Sequence, residues 1–258
     1  MLIDTHTHLF VEEFDKDRDQ VVQRAIESGV GVFLLPNIDV QTIESMHALS
    51  NKYPNNCFPM MGLHPGSVDA DWKENLEIIR EKLFLGNYIA VGEIGMDLYW
   101  DKTNVEAQRE VFSMQVEWAK ELKLPVVIHS RDAFEEIYKI LDKLNDANLR
   151  GVFHCFTGSG KDAEKILEYG NFKLGIGGVL TYKNARIDES LRNVSLEEIV
   201  LETDSPYLTP VPFRGKRNES AYMVHVAERL ANVYGVPIKE VEEVTSRNAI
   251  ELFDINMK

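Results

Sequence analysis

Six ionisable side chains fall where strands are expected to end. His6 and His8 stand in DTHTHL, Glu93 in IAVGEIG, His129 in VVIHS, His154 in GVFHCF and Asp204 in IVLETDSP. Along an extended chain, residues i and i+2 point the same way. That puts the imidazoles of His6 and His8 on one face as a compact chelate. Imidazole with carboxylate suits zinc, and with more oxygen ligands manganese or magnesium. Six protein ligands are too many for one ion that must keep an open position. They are natural for two divalent ions about 3.5–4 Å apart that share a bridging carboxylate. Glu93 is the better bridge, because its longer side chain reaches between two ions. Asp204 is expected to bind one ion and to accept a proton from a water.

Around these six stand residues suited to an anionic substrate. His64, in MGLHP, is expected on the same face and within reach of a phosphate. Arg131 follows His129 by two and should share its orientation; its fork matches phosphate or carboxylate. The segment Pro210–Ser220 brings Arg214, Lys216 and Arg217 to the same face as a local basic cluster. Asp4, two before His6, is a candidate partner for a ligand imidazole. Tyr99, Trp100, Tyr182, Tyr207 and Phe213 are candidates for stacking on bases, or equally for anchoring loops. His47 and His225 fall in helical segments and are read as ordinary residues of those helices. Cys155 follows His154 and is expected to face away, packed between strand and helix.

Eight apolar runs could supply the strands that position these groups. Apolar runs occur at Leu2–His6, Val30–Leu35, Phe58–Gly62, Ile89–Gly92, Val126–His129, Val152–Phe156, Phe172–Ile176 and Ile199–Glu202. Their near-continuous hydrophobicity suggests strands covered on both faces, as in a parallel sheet. Amphipathic segments lie between them. The clearest runs from about Asn104 to Leu122, with Val105, Val111, Phe112, Met114, Trp118 and Leu122 as its apolar stripe. Two helical segments, about Glu219–Tyr234 and Ile238–Phe253, close the chain. The pattern is α/β and fits a (β/α)8 TIM barrel, whose strand C-termini converge on one active face. An open doubly wound sheet is the runner-up; no GxGxxG follows the first strand, which removes the mark of its dinucleotide-binding form.

Composition narrows the classes. The chain has 258 residues, 44% hydrophobic and 27% charged, with a formal net charge of −14. That excludes a disordered chain. With no linker-like stretch, residues 1–258 are read as one domain. No apolar run approaches the roughly 18 residues of a membrane span. Two cysteines without CxxC spacing point to a reducing cytoplasm. The acidic balance argues against a broad nucleic-acid-binding face, though not against a small positive site. Two divalent ions bring four positive charges. Glu93, Asp204 and a hydroxide return three, so a net positive centre is expected. A monomer is the default expectation.

The motifs DTHTHL (Asp4–Leu9), GLHP (Gly62–Pro65), GEIGMD (Gly92–Asp97), PVVIHSRDA (Pro125–Ala133), HCFTGS (His154–Ser159), ETDSPYL (Glu202–Leu208) and RGKRNE (Arg214–Glu219) together resemble the TatD family. The resemblance spans essentially the whole chain in order. It implies an amidohydrolase-like (β/α)8 barrel and a metal-dependent hydrolase, usually described as a deoxyribonuclease with 3′-to-5′ exonuclease activity. Family members are also linked to D-aminoacyl-tRNA deacylation. The resemblance implies that His6, His8, Glu93, His129, His154 and Asp204 bind two divalent metals (zinc, manganese or magnesium), with Glu93 bridging. Two departures are visible: Thr7 stands where Cys is common, and Ser220 where Pro is common. DNA is the expected substrate, with an aminoacyl ester on tRNA as the alternative and a metal-binding barrel without turnover as the third.

Overall fold

The computed structural model describes residues 1–99 and 102–256. Trp100 lies outside them. Strands and helices alternate: β1 Leu2–Asp4, α1 Arg18–Glu27, β2 Val30–Pro36, α2 Ile43–Lys52, β3 Cys57–Met60, α3 Trp72–Leu85, β4 Val91–Asp97, α4 Val105–Leu122, β5 Val126–Arg131, α5 Phe134–Leu144, β6 Gly151–Phe153, α6 Gly160–Glu168, β7 Phe172–Ile176, α7 Ile187–Ser190, β8 Ile199–Leu201, α8 Met223–Tyr234 and α9 Ile238–Phe253. Every strand pairing is parallel, in the orders β1-β2-β3 and β4-β5-β6-β7-β8.

Backbone hydrogen bonds cross both seams and make the ring a (β/α)8 barrel. Between β3 and β4, Met61 N–H donates to Ala90 O (3.2 Å) and Gly92 N–H to Met61 O (3.0 Å). Between β8 and β1, Thr5 N–H donates to Leu201 O (3.1 Å) and Asp204 N–H to His6 O (2.8 Å).

Alternation along the strands sorts the apolar residues into two layers. Phe33, Leu35, Val126, Ile128, Leu174 and Ile176 face outward under the helices. Ile3, Val32, Leu34, Met60, Val127, Val152 and Val200 fill the interior near the strand starts, and Leu252 and Phe253 of α9 pack on them. The barrel therefore has an apolar floor, and its polar residues collect at the other end. None of the described helices is long and apolar enough to cross a membrane.

Several boundaries differ from the sequence reading. β1 stops at Asp4 and β6 at Phe153, while β4 runs on through Glu93 to Asp97. In α4 the buried stripe holds Val111, Phe112, Val116, Trp118 and Ala119, and Met114 points outward, 38% exposed. Gln108 and Gln115 are buried on the same helix.

Candidate metal centre

His6 and His8 lie beyond the end of β1, His6 in a bend and His8 in irregular chain, so strand alternation is not what aims them. Their backbone is pinned from both sides. Thr7 N–H donates to Leu34 O (3.1 Å) and His8 N–H to Ser205 O (2.8 Å). The two Nε2 atoms still meet, 3.2 Å apart. Asp4 bonds neither imidazole, though its Oδ1 accepts the His6 backbone N–H (3.4 Å). It accepts from Thr203 N–H (2.9 Å) and Thr203 Oγ1–H (2.6 Å), not from an imidazole, which corrects the role expected for it. Burial pushes its carboxyl up to about 7.

Glu93 is reached through a register irregularity in β4 between Val91 and Ile94. Such a bulge re-aims a side chain. Gly95 makes the next stretch possible. Its φ is +134°, and a Cβ there would lie 2.1 Å from His129 O.

The Glu93 carboxylate looks two ways. Its Oε2 is 3.2 Å from His6 Nε2 and 3.6 Å from His8 Nε2. Asp204 Oδ1 completes that group, 3.7 Å from His6 Nε2 and 3.5 Å from His8 Nε2. Four ligands in a tetrahedron about 2.1 Å from a common centre lie about 3.4 Å from one another, so these spacings fit a divalent ion. The other oxygen, Oε1, is 2.8 Å from His129 Nδ1, 2.9 Å from His154 Nε2 and 3.5 Å from His64 Nε2. Three groups among the described residues could hold a metal ion: His6, His8 and Glu93; His6, His154 and Glu202; and His64, Glu93 and His129.

Electrostatics favour cations here. Burial works to raise the Glu93 carboxyl, but the imidazoles of His64, His154 and His6 hold it well below the usual carboxylate range. Asp204 is likewise held low, against burial, by His8, His154 and His6. Burial pushes His6 down. His154 is pushed well up, because Glu93 and Glu202 overcome the same burial.

Residues not singled out in the sequence hold these ligands in place. His129 offers Nε2 to Asp97 Oδ2 at 3.0 Å, which leaves Nδ1 facing Glu93. Glu202, fully buried, lies 3.4 Å from His154 Nδ1. Two glutamines of α4 clamp the backbone. Gln108 accepts from Asp97 N–H (2.9 Å) and donates to Asp97 O (3.0 Å). Gln115 accepts from Leu63 N–H (2.7 Å) and donates to Leu63 O (3.1 Å), next to His64. The sign available in the sequence was their i, i+7 spacing on the apolar face of a helix.

The centre opens into a cavity of about 580 Å3 lined by, among others, Ile38, His64, Arg131, Val179, Tyr207 and Leu208. His64 Nδ1 accepts from Gly66 N–H (2.9 Å), and burial pushes this imidazole down. In the neutral ring Nε2 then carries the proton and points inward as a donor, so His64 faces the centre as a donor and not as a ligand. The Arg131 guanidinium stacks 3.9 Å over Tyr99. Arg214 and Lys216 are not among the residues lining the cavity. Arg214 lies 4.1 Å over Tyr182, and Lys216 5.6 Å from the Phe213 ring. Arg217 is committed to Asp17 through two hydrogen bonds of 2.8 and 2.7 Å. Cys155 differs from expectation. Its φ of +46° turns it to the cavity wall rather than between strand and helix. His47 bonds Tyr88 and His225 bonds Glu228, away from the centre.

The comparison that decides the family is the match of the TatD related DNase profile to residues 3–254. The chain belongs to that family. It is 38% identical over 257 residues to the uncharacterized metal-dependent hydrolase YabD of Bacillus subtilis, covering 99% of this chain and 100% of that protein. It is 32% identical over 264 residues to the 3′-5′ ssDNA/RNA exonuclease TatD of Citrobacter rodentium, covering 100% of this chain and 99% of that one. The crystal structure of YjjV, a TatD homologue from Escherichia coli, superposes with a TM-score of 0.92 at 30% identity, covering 99% and 98% of the two chains. This TatD-family protein is a metal-dependent hydrolase.

Proposed function

We propose that this TatD-family chain is a two-metal phosphodiesterase that shortens DNA single strands from the 3′ end. The observation that carries the proposal is the split of Glu93, with Oε2 turned to His6 and His8 and Oε1 to His129 and His154. One carboxylate serving two ligand groups is what a pair of neighbouring divalent ions requires. His6, His8, Glu93 and Asp204 would hold one ion, and Glu93, His129 and His154 the other. Divalent ions there supply Lewis acidity to a phosphoryl oxygen and lower the pKa of a water. The Citrobacter relative's name supports nucleic acid as substrate and the 3′ polarity.

The protein's own groups then divide the work. Asp204 is held ionised, and its side chain is 15% exposed against 3% for Glu93. It takes the proton of the attacking water as oxygen bonds to phosphorus. The bond from phosphorus to the 3′ oxygen breaks, and Asp204 returns the proton to that oxygen. His64, through its Nε2 proton, and Arg131 bind the non-bridging oxygens as charge grows on them. Tyr207, 49% exposed on the cavity wall, is placed to stack on the terminal base.

One observation favours a second substrate. Asp97 and Glu202 add two carboxyl groups to Glu93 and Asp204. Four formal negative charges balance two divalent ions, so the centre does not by itself select a polyanion. An aminoacyl ester of tRNA would be attacked at its carbonyl carbon by the same groups.

The test is hydrolysis of a 5′-labelled single-stranded oligonucleotide by metal-stripped protein with Mg²⁺, Mn²⁺ or Zn²⁺ restored. A ladder shortening from the 3′ end, absent in Glu93→Gln, is the expected result. Metal binding without cleavage would move the assignment to the ester, assayed on D-aminoacyl-tRNA.

A further inference from the structure

Glu202 follows β8 immediately and turns into the barrel, beneath the metal-facing histidines, with no exposure to solvent. Its Oε1 accepts the backbone N–H of Cys155 and lies 3.4 Å from His154 Nδ1. Its Oε2 has no hydrogen-bond partner among the described residues. The neighbouring strand makes room for it. A Cβ on Gly175 would fall 2.3 Å from Oε2. Burying a carboxyl group with half its acceptors unused is costly. The same volume filled by an apolar side chain would hold the barrel together better.

His154 explains the arrangement. Its Nε2 lies 2.9 Å from Glu93 Oε1, on the ligand side. A neutral imidazole has one lone-pair nitrogen and one N–H. With Nε2 as ligand, the proton sits on Nδ1, 3.4 Å from Glu202 Oε1. His129 shows the same device in mirror image, with Nδ1 inward and Nε2 held by Asp97. The Nδ1 atoms of His6, His8 and His154 alike make no hydrogen bond among the described residues; what sets His154 apart is the Glu202 carboxylate 3.4 Å from its Nδ1.

We propose that Glu202 is a positioning residue that accepts the Nδ1 proton of His154, fixes its tautomer and ring orientation, and makes the His129–His154 ion the tighter of the two. A carboxylate behind a ligand imidazole raises its basicity, and losing such a partner typically weakens metal binding about 10–100-fold. The inference rests on the two-ion reading above and adds an order of filling to it.

The experiment is a Zn²⁺ titration of metal-stripped protein against a chromophoric chelator, with Glu202→Met and Glu202→Gln beside the wild type. Wild type should take two ions with unequal affinity. Glu202→Met, similar in shape but without an acceptor, should weaken the tighter constant about 10–100-fold and leave the other within about twofold. Glu202→Gln keeps an acceptor oxygen and should recover most of the loss. In ¹⁵N-histidine spectra of the zinc-loaded protein, the His154 Nδ1–H signal should persist in wild type and Gln and vanish in Met. Both constants within about twofold of wild type in Glu202→Met would overturn the proposal. Should that variant not fold, Gly175→Ala displaces the carboxylate instead, with the same loss expected and the same null result fatal. A wild type that binds one ion or none overturns the two-ion reading, and this proposal with it.

Discussion

His129 Nε2 lies 3.0 Å from Asp97 Oδ2 while Nδ1 of the same ring lies 2.8 Å from Glu93 Oε1. One carboxylate thus orients the imidazole that the other meets at the centre. Asp97→Asn keeps the shape but weakens the acceptor. It should lower metal affinity about 10–100-fold. Titration of the stripped variant checks this, and activity should return at excess metal. Unchanged affinity would mean that packing alone orients His129.

Gln115 takes the same part for the loop that carries His64. Replacing it by Leu leaves the buried N–H and C=O of Leu63 without partners, at a cost of about 1–3 kcal/mol each. Thermal unfolding should show the loss. KM for the substrate should rise as well, because the Leu63–His64 backbone is released. Lower stability with unchanged KM would confine Gln115 to a packing role.

Thr7 and Ser220 are the two positions where the chain departs from the family pattern, and they touch. Ser220 Oγ donates to Thr7 Oγ1 at 3.4 Å, and Thr7 Oγ1 lies 2.6 Å from Ser205 Oγ. Both side chains are fully buried behind the His6–His8 turn. Thr7→Cys and Ser220→Pro should therefore be non-additive, with a coupling energy of about 0.5–3 kcal/mol in a double-mutant unfolding cycle. Strict additivity would make the contact energetically silent.

Arg217 was grouped by sequence with the substrate-facing cations, yet it pins Pro210–Ser220 to the loop before α1. It donates to Glu13 O (2.6 Å) and to both Asp17 oxygens. Its guanidinium holds the Asp17 carboxyl below its ordinary 3.8. A depressed carboxyl stabilises the fold above the unfolded pKa and loses that contribution as pH falls through the folded value. The melting-temperature gap between wild type and Arg217→Gln should be constant near neutrality and close below pH 3.8. A gap independent of pH would remove Asp17 from the account.

The barrel was legible because parallel strands buried on both faces leave continuous apolar runs. The candidate ligands stood out by type because all six lie on a strand or within four residues of its end. The cause assigned to His6 and His8 was not, since β1 stops two residues before His6 and contacts from Leu34 and Ser205 aim the turn. Glu202 and Gln115 were hidden for a related reason. Their partners, His154 and Leu63, are 48 and 52 residues away in sequence, and no local pattern encodes such a pair. Glu202 even stood in a quoted motif, where Asp204 drew the attention.

The charge balance of the centre decides what must attract a polyanion. Were two divalent ions bound, Asp97 and Glu202 would add two formal negative charges to those of Glu93, Asp204 and a hydroxide, and the net positive centre expected from the latter three would be lost. Attraction then falls to cations on the cavity wall. Arg131 is one, next to Asp97 in the sheet register and stacked 3.9 Å over Tyr99. Each phosphate contact to a single strand contributes about 0.7 to the slope of log affinity against log salt. Arg131→Gln should flatten that slope by about one contact and raise KM more than it lowers kcat. Arg131→Lys should not restore binding fully, because an ammonium lacks the planar fork and the stack on Tyr99. Binding of a fluorescent single-stranded oligonucleotide to Glu93→Gln protein, with and without the second change, across a salt series, measures the slope. An unaltered slope would place the phosphate contact elsewhere, with Arg214 over Tyr182 the next cation to replace.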